Sequence, residues 1–157
     1  LGFYVLFAIL LLNTGFIRSK GVSYMKPPDE VLLDLPRGGI AVNADQAPVY
    51  RALAEEIAKH SPAGGYIYAS PDCPEVYFLA ARRNPTRTFY DFFDPDFSLP
   101  LERQQRIMNL LMVKDISTIV ICPSGEFSGA FSQVLYNALA PVFPNVRRVG
   151  PFLVRWR

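Results

Sequence analysis

Three arginines, Arg82, Arg83 and Arg87, fall within six residues, and three aspartates, Asp91, Asp94 and Asp96, follow within the next nine. A planar guanidinium matches phosphate and carboxylate oxygens in a two-pronged fork, so the arginines could hold a phosphate or an acidic sugar. The aspartates could neutralise them in a solvated ion-pair network of small energetic value. Carboxylates can also hold a divalent cation, but Asp94-Pro95-Asp96 is ordinary turn chemistry. No metal site is expected.

The arginines end an unusually marked stretch, PDCPEVYFLAARRNPTR, residues 71–87. Helix punctuation accounts for most of its polar residues. Asp72 suits an N-cap, Pro74 the first turn, and Glu75 the third place of a capping box. Asn84 suits a left-handed C-cap and Pro85 forbids continuation, which predicts a helix over 74–83. The arginines are left over. The candidate binding set is therefore Arg82, Arg83 and Arg87, with Asn84 fixing their turn and Asp72 and Ser124 at strand ends.

No catalytic set emerges. Ser124 has no histidine partner in a recognisable motif, and the only histidine, His60, reads as a surface residue in the last turn of a helix. Neither GxGxxG nor GxxxxGK[ST] occurs. Cys73 and Cys122 are the only cysteines, too few for a disulfide scaffold and, with His60, no metal site. They are expected not to be bonded to each other. No catalytic residue, metal or cofactor is assigned.

The elements that must position these residues alternate along a chain of 157 residues, about one domain. Half the residues are hydrophobic, and a net charge of +2, evenly spread, gives no nucleic-acid footprint. Strands are predicted at 38–44 (GGIAVNA), 66–69 (YIYA) and 115–122 (DISTIVIC), the last the clearest buried run. A helix capped by Asp45 carries Val49, Leu53 and Ile57 on one stripe and ends at Ser61-Pro62. A further helix runs from about Leu99 to Val113, and another follows Ser128. VRRVG and FLVRW, on either side of Gly150-Pro151, read as a terminal pair of strands. The alternation predicts a three-layer α/β domain with a mostly parallel, Rossmann-like sheet and helices on both faces. In such a sheet ligands sit beyond the carboxyl ends of the strands, here 43–45, 70–72 and 122–126.

The start of the chain is of another kind. Leu1–Ile17 has no charge, Gly2–Leu12 within it has no polar face, and its length reaches the lower limit for a bilayer span. It reads as the end of a transmembrane helix, followed by a linker, 18–34, and the α/β domain, 35–157. Arg18, Lys20 and Lys26, read alone, would put the domain in the cytoplasm, although flanking charges orient long domains poorly.

An apolar span, then LDLPRGGI, a helix, and YIYASPDCPEVYFLAARRNPTRTFYDFFD resembles the C-terminal end of bacterial GT-C membrane glycosyltransferases of the dolichyl-phosphate-mannose protein mannosyltransferase-like group. The likeness is best over Leu35–Asp94 and fades to a pattern of elements beyond. It implies a membrane-embedded parent that moves a sugar from a polyprenyl-phosphate carrier to an acceptor, with its catalytic residues in that membrane part. The present domain would lie on the periplasmic side, against its own membrane domain, and help to bind carrier or acceptor. Two alternatives remain: a membrane-anchored interaction module without a role in sugar transfer, and a soluble α/β enzyme.

Overall fold

The computed structural model describes residues 29–37 and 39–157. The apolar run Leu1–Ile17 lies outside the described residues. Among the described residues, no helix is long and apolar enough to cross a membrane.

The elements follow as β1 (Glu30–Leu32), β2 (Ala41–Asn43), α1 (Ala47–His60), β3 (Tyr68–Ser70), α2 (Pro74–Leu79), a 3₁₀ turn (Asp91–Phe93), α3 (Pro100–Val113), β4 (Thr118–Ile121), α4 (Gln133–Val142), β5 (Asn145–Val149) and β6 (Phe152–Trp156). The fold is mixed α/β, built on a four-stranded sheet in the order β3-β4-β6-β5. The sheet is mixed, not mostly parallel. Only β3 and β4 are parallel, while β6 runs antiparallel to both β4 and β5. The physical reason is the tight turn at Gly150, which returns the chain immediately as an antiparallel ribbon with no room for a crossover helix. Gly150 has φ +54° and faces Val49, so a side chain there would be both strained and crowded.

The predicted first strand is displaced as well. Ala41–Asn43 is not a central strand but pairs antiparallel with Glu30–Leu32 in a separate two-stranded sheet. Its Val42 is only half-buried, and all three residues of β1 are exposed. Of these strands only Val42 packs on a core cluster, that of Leu33, Ala47 and Leu79, so the brief apolar run belongs to a small satellite sheet and not to a central strand. Leu33, inside the segment read as linker, is buried with Ala47 and Leu79.

Alternation along the central strands divides the core. Ala69, Val120 and Val154 join Leu53, Ile57 and Val76 of α1 and α2 in one cluster. Tyr68 and Ile119 join Ile107, Leu111, Leu135, Leu139 and Phe143 of α3 and α4 in another. Neighbouring strand residues point to opposite faces, so both faces of β3 and β4 are covered. All four residues of β4 are buried, as its unbroken apolar sequence requires.

The direction of α1 fixes which end of the sheet is which. Its first turn meets the β5–β6 turn through Val49 and Gly150, at the carboxyl edge of β3 and β4. At its other end the His60 carbonyl accepts hydrogen bonds from the Ser117 and Thr118 hydroxyls, at the start of β4. Ser61 ends the helix as expected, but Gln46, not Asp45, is the N-cap residue. The last helix is capped by Ser132, not Ser128, because Ser128 is engaged elsewhere.

Candidate functional site

At the carboxyl edge, Ser70 and Asp72 leave β3 beside the 122–129 loop that leaves β4. Asp72 does not cap α2. Cys73 stands at the N-cap position and forms no side-chain cap bond. Asp72 instead accepts hydrogen bonds from the backbone N–H groups of Phe127 (3.0 Å) and Ser128 (2.8 Å), and from the Ser128 hydroxyl. A Cβ at Gly125 would overlap this carboxylate, so the close approach requires glycine. Burial alone would push the Asp72 carboxyl up, but its hydrogen bonds outweigh that and hold it below its ordinary value. Ser128 Oγ also accepts from the Phe92 N–H at 2.8 Å, which ties the 3₁₀ turn to the same loop.

The aspartates after the arginine stretch pair with arginines that the sequence reading passed over. Asp91 accepts from Ser70 Oγ (2.5 Å) and lies 2.6 Å from Arg103 Nη2. Arg103 Nε reaches Asp94 at 3.3 Å, and its Nη2 reaches the Tyr68 hydroxyl at 3.3 Å. Arg106 pairs with Asp94 and, at 2.6 Å, with Asp96. Burial keeps the Asp91 carboxyl above its ordinary value despite Arg103. For Asp94 burial acts the same way, but the Asp96 N–H, Arg106 and Arg103 prevail and lower it. Burial pushes the Tyr68 hydroxyl far up, so it serves as a neutral partner to Arg103.

The three candidate arginines do not come together. Arg82 is buried, with Nε on Ser61 Oγ (2.8 Å), Nη2 on the Ser61 carbonyl (2.8 Å) and Nη1 on the Ala80 carbonyl (2.8 Å). It fastens the end of α2 to the end of α1, and all three of its guanidinium nitrogens are already engaged there. Arg83 is exposed, with Nε on the Gly64 carbonyl (2.6 Å) and its guanidinium 4.4 Å from the Tyr66 ring centre. Its backbone extends the sheet beside residues 65–67. Only Arg87 stands open, and it forms no ion pair among the described residues. Asn84 does fix the turn, but as a side-chain turn and not a helix cap. Its Oδ1 accepts from Thr86 N–H (2.8 Å) and its Nδ2 donates to the Thr88 carbonyl (2.7 Å). The left-handed residue after α2 is Ala81, φ +51°, because the helix stops at Leu79, four residues sooner than its punctuation suggested. Ser124 is exposed on the loop after β4.

Arg87 lines an open groove of about 510 Å³ between the 85–88 turn and α3, with Thr86, Pro95, Asn109, Leu110 and Val113 among its walls. That volume suits a small ligand, and mostly apolar walls with few polar groups are usual for such sites. Asp94 and Arg106 border it already paired with each other. An anionic head beside Arg87 and an apolar body along α3 would fit this chemistry.

His60 is not a plain surface residue. It is half-buried, stacked 3.9 Å from Trp156 and 3.2 Å from Glu56, beside the start of β4. Cys73 and Cys122 form a disulfide, contrary to expectation, with Cα atoms 6.4 Å apart. Parallel pairing of Ser70 with Ile121 brings the residues just beyond each strand within bonding reach. Among the described residues, no cluster of three or more His, Cys, Asp or Glu could hold a metal.

The carboxyl edge also carries a group of aromatic rings to which the sequence reading assigns no role. Tyr90 lies 6.1 Å from Phe93 and 5.5 Å from Phe127, and Phe92 lies 5.6 Å from Phe93 and 5.8 Å from Phe97. Phe93 and Phe127 are 64% and 60% exposed, which is unusual for contiguous aromatic surface. The available signals were the i, i+3 spacing of Arg103 and Arg106 after three aspartates, and the density of phenylalanine in DFFDPDF. Comparison of the chain with protein-family models, curated proteins and solved structures finds no match.

Proposed function

We propose that this chain is the C-terminal, extracytoplasmic accessory domain of an integral-membrane glycosyltransferase using a polyprenyl-phosphate-linked sugar donor. In this reading it binds carrier or acceptor, without itself performing the transfer. The observation that carries the proposal is Arg87, open and without an ion pair on the wall of an apolar groove, inside the stretch that bears the family resemblance. Two further features support it. A Cys73–Cys122 disulfide suits an oxidising compartment such as the periplasm. Apolar clusters on both faces suit a three-layer, Rossmann-like ancestry altered by the β5–β6 ribbon.

Of the three candidate arginines, the proposal now rests on Arg87. Titration of the chain in detergent micelles with a short polyprenyl phosphate tests it. Binding should weaken by about five- to tenfold in Arg87→Ala, the loss of one charge-assisted contact. The uncharged polyprenol should bind wild type and variant alike. Absence of binding by the folded wild type, or equal binding of the phosphate to both proteins, overturns the proposal.

A further inference from the structure

We infer that the five rings Tyr90, Phe92, Phe93, Phe97 and Phe127 form a docking face for the interfacial region of a lipid bilayer, so that the domain sits with the carboxyl edge of its sheet against the membrane. The inference rests on the reading of Leu1–Ile17 as membrane-embedded and adds an orientation to it.

The rings are presented by a braced platform. Asp72 holds the backbone at Phe127 and Ser128, Ser128 holds Phe92, and Asp91 ties the 3₁₀ turn to Ser70 and Arg103. A face of rings that expose half or more of Phe92, Phe93 and Phe127 leaves apolar surface unused in water. Aromatic side chains with one wet side are the residues that settle at headgroup depth.

The position of Asp29, reached by the chain that follows the apolar run, favours a bilayer as the occupant. The Asp29 carbonyl accepts from the Ala44 N–H, three residues before α1, whose first turn meets the β5–β6 turn. Asp29 therefore lies at the carboxyl edge, the edge that carries the rings. The segment 18–28 spans at most about 39 Å fully extended, near the diameter of a domain this size. A domain so tethered stays within its own width of the bilayer, and the tether enters it at the edge that carries the rings.

Charge narrows the choice of lipid. The three carboxylates beneath the rings are only partly neutralised: Arg103 pairs with Asp91 and Asp94, Arg106 with Asp94 and Asp96, and Asp72 and Glu126 form no ion pair among the described residues. The face thus combines apolar area with an excess of negative charge, so docking should need no anionic lipid and should not be strengthened by it.

The test uses the full chain in phosphatidylcholine vesicles, with and without brominated acyl chains as quenchers. Its only tryptophan, Trp156, lies at the opposite edge beside Thr118 and serves as an internal control. Phe93→Trp, or Phe127→Trp if the first does not fold, adds a reporter on the face. The expected result is loss of more than about half of the added emission in brominated vesicles, with Trp156 of the wild type unaffected. If the chain floats with vesicles but the added tryptophan is unquenched, docking is overturned and anchoring stands. Equal quenching at both positions overturns the orientation. A chain that does not float with vesicles overturns the membrane reading and this inference with it. Emission that depends on protein-to-lipid ratio without quenching assigns the face to a second copy and also overturns docking.

Discussion

The turn at residues 82–87 and the first two turns of α3 both carry closely spaced arginines, yet use them in opposite ways. In the turn, Arg82 and Arg83 spend their donors on main-chain carbonyls and the Ser61 hydroxyl, and Arg87 is left to solvent. On α3, Arg103 and Arg106 lie one helical turn apart and share Asp94, with Asp91 and Asp96 on either side. Helical spacing aligns two guanidinium groups against one acidic turn, whereas irregular backbone exposes its own carbonyls and consumes donors one at a time. Density of charge in a sequence therefore says little about pairing. What matters is whether the backbone presents the charges on a common face.

Variants can break or sharpen this contrast. Arg103→Ala has the largest expected effect, since it strands the buried Asp91 beside Ser70. Removing one partner of a buried pair costs about 3–5 kcal/mol, and denaturant melts should show a loss of that order. Cys73→Ser should cost roughly 2–4 kcal/mol, because the bridge restrains a long loop in the unfolded chain. Thermal melts with and without reductant read this directly, and the variant should ignore reductant. Arg82→Ala should cost about 1–3 kcal/mol by removing the donors to the Ser61 and Ala80 carbonyls. Arg87→Ala should stay within about 0.5 kcal/mol of wild type, as at an ordinary surface position. Arg82 and Arg87 variants of equal stability would erase the distinction.

A pH titration sharpens the same point for the acids. Asp72 has its carboxyl held below the ordinary value when folded. Its contribution is therefore full above the unfolded value of about 3.9 and is lost as pH falls through the lower folded value. Asp72→Asn should lower stability at neutral pH and make the decline below about pH 4 shallower. An unchanged acid limb would show that its hydrogen bonds do not favour the charged form.

Where local rules decide, the sequence was a sound guide. The unbroken run in DISTIVIC gave the buried β4, the i, i+4, i+8 stripe gave α1, and alternation around Gly150-Pro151 gave the β5–β6 ribbon. Where tertiary partners decide, it was not. Asp72 met every local requirement of a helix cap, but two backbone N–H groups and a hydroxyl from residues 127 and 128 compete for it. The disulfide depends on the register of β3 against β4, which no pattern in either strand records. Placement of β6 between β4 and β5 depends on which edges pair, and an apolar strand suits several neighbours. Within the candidate site, Asn84 and Arg87 were legible as a turn and an open charge. Arg82 was not, because its burial comes from packing against the end of α1, twenty-one residues earlier in the chain.

The Cys73–Cys122 bridge spans a sequence separation of 49 and encloses the exposed 3₁₀ turn with its phenylalanines and the whole of α3. A protease that cuts after Phe92 or Phe93 would therefore leave two pieces still joined as one particle. On a gel the nick should be invisible until a thiol is added, when the single band resolves into two. Damage at this exposed turn need not release a fragment.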